Sequence, residues 1–136
     1  MKVEDCGVVD LPTFGDERGK LTFAEQLRHV PFEVRRAFWI HGVPEGAERG
    51  AHAHKACHQF LVCLAGSVEV ELQDGTGVRA VRLDRASVGL HIPPMIWASQ
   101  SFGADSVLLV FASDPYDEAD YHRDHAIWLD AVRSSS

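Results

Sequence analysis

Residues 46–66 read GAERGAHAHKACHQFLVCLAG. They include the pair His52 and His54, in which a single alanine separates the two histidines. Successive side chains of a β-strand point to opposite faces, so a strand through this pair places both imidazoles on one face. Two neighbouring imidazoles can bind a metal or move protons near neutral pH. The alternative is a solvated edge strand. Charged imidazoles side by side repel each other, so we favour a functional role for the pair.

Short runs of β-branched and aromatic residues lie between closely spaced glycines and prolines, which is typical of an all-β domain. The run 67–73 alternates apolar and polar residues and predicts a strand with one buried and one wet face. Asp74-Gly75, which follows it, predicts a hairpin turn. The strands expected from these patterns are 19–25, 34–41, 50–54, 58–65, 67–73, 78–83, 88–92 and 106–113.

The pattern changes after Ser113 and indicates a short C-terminal helix on a β body. Asp117-Glu118 is expected to open this helix, and an apolar stripe continues as far as Arg133. The residues of the stripe are Ile127, Trp128, Leu129 and Val132.

Length and composition fit one globular domain over residues 1–136, since 46% of the residues are hydrophobic and 24% are charged. The net charge of −7, with no basic patch, argues against nucleic-acid binding. No apolar run is long enough to cross a membrane, and no apolar signal core stands at the N-terminus. The three cysteines lack metal-type spacing and indicate reduced thiols. We therefore expect a cytoplasmic protein that binds neither nucleic acid nor membrane.

Within residues 46–66 the order is glycine, five residues, His-Ala-His, four residues, glutamine, six residues and glycine. This spacing resembles the first motif of the cupins, which are small β-barrels of the jelly-roll type, except that Gln59 replaces the usual glutamate. The second cupin motif normally supplies a third histidine after a proline turn, where this chain has Trp97 and Ala98; His91 precedes that turn. A catalytic metal needs three protein ligands. We therefore expect no catalytic metal, and a proton-transfer role for the histidines.

Several further tracts are distinctive. They are Pro31-Phe32, Arg36-Ala37-Phe38, 49–55, 59–67, Gly89, Pro94, Trp97 and 113–123. Together they resemble the sugar 3,4-ketoisomerases that act on dTDP-4-keto-6-deoxyglucose, over roughly positions 8 to 130. The resemblance implies conversion of that sugar nucleotide to its 3-keto isomer, without metal or organic cofactor, in deoxyamino-sugar biosynthesis. It also implies a homodimer with strands exchanged between subunits.

The resemblance also implies different roles for the two histidines. The C3 proton lies next to the C4 carbonyl, so its removal gives an enediolate, and a proton returned at C4 completes the isomerisation. His52 is expected to be the C3 base. His54 is expected to orient it, relay the proton or stabilise the oxyanion. The C4 configuration of the product stays open, because it depends on which face of the enediolate is protonated.

Other residues are expected to hold the substrate. An acidic protein needs local arginines to bind a diphosphate; the alternative for each arginine is a surface ion pair of at most about 1 kcal/mol. Trp97 is expected to form an apolar wall against water, and His41 stands near a position where the family often has tyrosine. The residues predicted to contact substrate are Arg36, Arg49, Gln59, Trp97, Tyr116, Arg123 and His41. The aromatic alternatives for stacking on thymine are Phe38, Trp39, Tyr116 and Tyr121.

Two other functions stay open at this point. One is a metal-dependent cupin enzyme, such as a small-molecule isomerase or oxygenase. The other is a non-enzymatic module that binds a sugar nucleotide or another small ligand. Only the paired histidines argue against the second from the sequence.

Overall fold

The computed structural model describes residues 1–135. Its regular elements are β1 Val8–Asp10, β2 Thr13–Asp16, β3 Gly19–Thr22, β4 Arg36–Ile40, β5 Glu48–His54, β6 Gln59–Ala65, β7 Val68–Gln73, β8 Val78–Leu83, β9 Val88–Ile92, β10 Trp97–Phe102, β11 Val107–Ala112, β12 Tyr121–His122 and the helix α1 His125–Ser134. One antiparallel sheet has the order β1–β9–β6–β11–β4, and the other has the order β12–β5–β10–β7–β8. Strands β2 and β3 form a separate hairpin.

The core lies between the two sheets. Leu61, Leu90 and Leu108 of the first sheet share one buried cluster with Val70 and Leu72 of the second. Full burial of each such side chain contributes about 1.5–3 kcal/mol, so this cluster holds the sheets together. The predicted all-β class is confirmed, with the two sheets arranged as in a cupin-type jelly roll.

Strand β7 shows the alternation that its sequence predicts. Val68, Val70 and Leu72 are completely buried, whereas Glu69 and Glu71 between them are exposed. The apolar face of β7 therefore belongs to the core, and its acidic face is in contact with solvent.

The predicted hairpin turn between β7 and β8 depends on a buried carboxylate. Oδ1 of Asp74 accepts hydrogen bonds from the backbone N–H groups of Thr76 and Gly77, at 2.8 and 2.7 Å, and from the Thr76 hydroxyl. Oδ2 accepts the backbone N–H of Val3 at 2.8 Å. Burial alone would raise the pKa of Asp74, but these donors outweigh it and hold the pKa well below its usual value. One carboxylate thus fixes both the turn and the N-terminal segment.

Replacing Asp74 by alanine should lower the free energy of unfolding by about 2–4 kcal/mol at pH 7, because several buried donors lose their acceptor. The pKa of this group is depressed in the folded state, so its contribution is present above the ordinary carboxyl pKa of 3.8 and is lost as the pH falls below it. Urea unfolding at several pH values measures both effects. The control is Asp84→Ala, an exposed partner of Arg82, which should change stability by less than about 1 kcal/mol. Equal losses for the two variants would contradict this account.

Four strands were not predicted from the sequence: β1, β2, β10 and β12. Strand β10, with the sequence WASQSF, is buried at Trp97, Ala98, Gln100 and Phe102. Because this buried strand combines small and polar residues with aromatic ones, it shows neither the alternation nor the β-branched composition that marks a strand. Strand β12 has two residues and exists only because it pairs with β5.

The C-terminal helix begins later than its sequence predicts. Asp117 caps a single 3-10 turn at Glu118–Asp120, and the α-helix starts after Asp124, whose side chain accepts the backbone N–H of Ile127. Trp128 is completely buried, but Ile127 is 61% exposed and does not belong to the apolar stripe. No helix in the described part of the chain is long and apolar enough to span a membrane.

Candidate active site

A cavity of about 340 Å³ opens next to the histidine pair. Both sheets and the C-terminal segment contribute to its walls. The residues that line it are Phe38, Trp39, Ile40, Arg49, Gly50, His52, Gln59, Leu61, Gln100, Val110, Tyr121 and Arg123. Cavities of about 590, 540 and 410 Å³ elsewhere in the molecule are larger. The cavity of about 340 Å³ is the candidate active site, because it combines an imidazole with two guanidinium groups.

Strand β5 places both imidazoles on one face, as predicted. The ring centroids of His52 and His54 are 5.0 Å apart and the rings are perpendicular. His52 lines the cavity, whereas His54 lies deeper and is only 5% exposed. Burial, assisted by the nearby His54 and Arg123, lowers the pKa of His52 to about 4. His52 is therefore neutral at pH 7 and can accept a proton.

His54 is paired with an aspartate that is 66 residues away in the chain. Its Nδ1 donates to Oδ2 of Asp120 over 2.9 Å. Asp120 is itself held by backbone groups, since Oδ1 accepts the N–H of Ala56 at 2.8 Å and its carbonyl accepts the N–H of Lys55 at 2.7 Å. Burial lowers the pKa of His54, and the hydrogen bond to Asp120 opposes this effect. The aspartate thus fixes a neutral tautomer with the proton on Nδ1, which leaves Nε2 as a buried acceptor without a partner among residues 1–135.

The residues after Asp120 complete the site. Strand β12 pairs with β5, with Tyr121 opposite His54. The ring of Tyr121 contacts both imidazoles, at centroid distances of 5.0 Å to His52 and 4.4 Å to His54. The guanidinium of Arg123 lies 4.2 Å from the centre of the Tyr121 ring and is paired with Glu118. The C-terminal segment therefore covers the histidines with Tyr121 and places the guanidinium of Arg123 at the cavity.

Most of the predicted site residues come together. Arg49, Gln59 and Arg123 line the cavity with His52. The guanidinium of Arg36 lies beside it, 5.2 Å from the Phe38 ring and 5.7 Å from the Tyr116 ring.

Four residues predicted to contact substrate do not line the cavity: Arg36, Trp97, Tyr116 and His41. Ala98, rather than Trp97, pairs with His52 across the strands, so Trp97 points to the opposite face of the sheet. There it packs on Trp128, with ring centroids 5.5 Å apart, and on Ala53. Contrary to the expectation, Trp97 supports the helix and does not form a wall of the cavity. His41 is exposed beyond the end of β4, so its contact with substrate stays a prediction.

Asp120 was not identified from the sequence as a site residue. It belongs to the distinctive tract 113–123, but no local spacing connects it with a histidine 66 residues earlier. Only the pairing between β12 and β5 brings Asp120 close to His54. A strand of two residues is too short to show periodicity, so the sequence does not predict this pairing. From the sequence, Tyr121 was a candidate for thymine stacking or for packing of the C-terminal segment, whereas its ring contacts the histidines.

One group of potential metal ligands lies beneath the cavity. Ligand atoms of His54, Cys57 and Asp120 lie within 4.8 Å of one another. They are engaged with each other and with the backbone, since Cys57 donates to the carbonyl of His58 and Asp120 accepts two backbone N–H groups. A metal here would have to break the hydrogen bond between His54 and Asp120. His91, the histidine that precedes the proline turn, contacts His58 at 2.9 Å.

The fold and the site together define a cupin-like enzyme with two neutral imidazoles at its cavity. The chain belongs to the family described as FdtA: WxcM-like, C-terminal, whose model matches residues 4–133. The resemblance seen in the sequence is thereby confirmed.

Two relatives are similar over nearly their whole length. The TDP-4-oxo-6-deoxy-alpha-D-glucose-3,4-oxoisomerase of Aneurinibacillus thermoaerophilus is 40% identical over 119 residues, which is 87% of this chain and 86% of that protein. The sugar 3,4-ketoisomerase QdtA of Thermoanaerobacterium thermosaccharolyticum, solved in complex with TDP, is 34% identical with a TM-score of 0.94, and 98% of each chain is covered. A histidine-to-asparagine variant of QdtA, solved with TDP-4-keto-6-deoxyglucose, has a TM-score of 0.93 and 34% identity over 97% of this chain and 96% of that one.

Replacing Asp120 by asparagine should lower the pKa of His54 further, because the carboxylate that favours the imidazolium is removed. NMR titration of the imidazole resonances measures this change. The matched control is Asp114→Asn: the Asp114 carboxylate raises the pKa of His58, so this variant should lower the pKa of His58 and leave that of His54 unchanged. A His54 pKa that does not respond to Asp120→Asn would contradict the pairing.

Proposed function

We propose that the chain is a sugar-nucleotide 3,4-ketoisomerase that converts dTDP-4-keto-6-deoxyglucose to its 3-keto isomer by proton transfer, without metal or organic cofactor. The observation that carries the proposal is the pair of neutral imidazoles at one cavity, with the inner imidazole held by Asp120. The relatives named above act on or bind this class of sugar nucleotide.

The reaction moves one hydrogen from C3 to C4 and needs no oxidant. His52 removes the C3 hydrogen as a proton, and the electron pair of the C–H bond forms the C3=C4 bond of an enediolate. A proton then bonds to C4, and the proton of the C3 hydroxyl is transferred to the C4 oxygen, which leaves the ketone at C3 and a hydroxyl at C4. Nε2 of His54 is a buried acceptor that can receive and return the second proton.

The cavity mouth provides the charge that a diphosphate needs. Arg49 and Arg123 line it, although the whole protein has a net charge of −7. The charge of Arg123 contributes to the low pKa of His52. A diphosphate bound at Arg123 offsets that charge and so raises the pKa of His52, which makes the base stronger when substrate is in place. Of the aromatic residues considered for thymine, Trp39 and Tyr116 expose most of their rings, each at 61%.

A homodimer with exchanged strands is part of this proposal. The hairpin β2–β3 stands apart from both sheets, and a two-stranded hairpin alone is marginally stable in water. Its cross-strand neighbours Phe14 and Leu21 are 65% and 60% exposed. A cavity of about 590 Å³ separates the hairpin from Leu64 and Leu109 of the first sheet. A second copy of the chain would cover these apolar groups.

We also propose that residues 1–136 act as a single domain in the cytoplasm. The three cysteines are free and buried, which suits a reducing compartment.

Replacing His52 by asparagine should lower the isomerisation rate by about 10²- to 10⁴-fold, which is the usual contribution of a general base. Conversion of dTDP-4-keto-6-deoxyglucose is followed by NMR, and binding of dTDP, which should not change, by calorimetry. His29→Asn is the control, since His29 lies in a loop where its ring contacts Glu25 and Phe23. Full activity of the His52 variant would contradict the assignment. A wild-type protein that binds dTDP but converts nothing would favour a binding module, and activity lost to chelators would favour a metal enzyme.

Replacing Phe14 and Leu21 together by glutamate should convert the dimer to a monomer, because the burial of two unpaired carboxylates in an apolar interface is strongly unfavourable. Light scattering after size-exclusion chromatography measures the mass. The control is Val78→Glu, at another exposed apolar position (66% exposed) on β8. A wild-type monomer, or a double variant that stays dimeric, would contradict this interface.

A further inference from the structure

Gln100 of β10 is a buried glutamine on the cavity wall whose side chain the protein does not use. It is 6% exposed, and within residues 1–135 its amide makes no hydrogen bond. The Oε1 atom is shielded from solvent and has no partner. Buried polar groups are nearly always paired in native proteins. An unpaired amide in the wall of a cavity therefore indicates a position where a ligand supplies the partner.

The fold makes room for this amide through an irregularity in β5. Ala98 pairs with His52 and Gln100 pairs with Arg49, so β5 has one residue more than β10 between the two pairs. Gly50 lies in this bulge with a φ of +69°, a conformation that favours glycine. A Cβ at this position would collide with Oε1 of Gln100. Glycine at position 50 is thus favoured by the backbone, and the missing Cβ leaves the room that the amide occupies.

The order of residues along β5 matches the order of groups along a sugar nucleotide. Arg49 provides a charge for the diphosphate on C1, and His52 is the proposed base at C3. Gln100 is opposite this stretch and, like Ala98 two residues earlier, is on the face of His52. Its amide lies against Gly50, which stands between Arg49 and His52 in β5, and so lies between the groups proposed to meet C1 and C3. The carbon between them is C2, which carries a hydroxyl.

We propose that Gln100 recognises the C2 hydroxyl of the substrate sugar and is a specificity-determining residue. This inference rests on the function proposed above. The amide oxygen Oε1, which is buried and otherwise unpaired, accepts the hydroxyl proton, so a sugar without this hydroxyl should be bound and converted less well.

The experiment compares dTDP-4-keto-6-deoxyglucose with its 2-deoxy analogue, for the wild-type enzyme and for Gln100→Leu. The wild type should prefer the parent sugar by about 10- to 100-fold in kcat/KM. Gln100→Leu should lose about that factor on the parent sugar and convert the analogue at nearly the wild-type rate, so that its preference disappears. Gln73→Leu, the same change on β7 outside the cavity, should keep the preference. Equal losses of Gln100→Leu on both sugars, or an unchanged preference, would overturn the proposal.

Binding measurements separate this proposal from the proposed reaction. By calorimetry, the wild type should bind dTDP-glucose about 10-fold more tightly than dTDP-2-deoxyglucose, and Gln100→Leu should bind them equally. If this binding result is obtained and the protein has no isomerase activity, the proposed reaction is wrong and the proposed recognition of the C2 hydroxyl by Gln100 still holds. If Gln100→Leu has a lower thermal unfolding midpoint than the wild type, Gln100→Met, with an unbranched side chain of similar length, is used in its place. A preference for the parent sugar that persists in Gln100→Met would overturn the proposal.

Discussion

The hydrogen bond from Nδ1 of His54 to Asp120 connects the last part of the chain to the centre of the β domain. Because Asp120 is fixed by the backbone N–H of Ala56, the pairing sets the position of the residues that follow. Tyr121 then lies on both imidazoles. The same contact decides the tautomer of His54, and so the direction in which a proton can move. Structure and chemistry here depend on one carboxylate.

The electrostatic design of the site relies on burial rather than on net charge. Two imidazoles next to each other in a poorly solvated place are held neutral, because desolvation disfavours both imidazolium forms and the nearby His54 adds to this effect at His52. Arg49 and Arg123 at the mouth give an acidic protein a local positive field. Such a field suits the diphosphate of the substrate proposed above.

The sequence predicts the histidine pair and the fold class, because both depend on short-range periodicity. Two residues of a strand share a face, so His52 and His54 had to point together. Long-range pairing is harder to predict. Asp120 reaches His54 only through a two-residue strand, and Trp97 was assigned to the wrong face because a motif position does not reveal the register of β10. The role proposed for Gln100 depends on the bulge in β5, and no local sequence pattern predicts a bulge at that position.

The central claim is that the hydrogen leaves C3 as a proton taken by His52. Isomerisation in heavy water tests it directly. The product is isolated before the reaction reaches equilibrium, and the hydrogen isotope at its C4 is determined by NMR and mass spectrometry. A proton mechanism with a base open to the cavity predicts deuterium at C4 of the product and wash-in at C3 of recovered substrate. A product formed over many turnovers with its original hydrogen at C4 and no deuterium would indicate direct hydride transfer and would contradict the account.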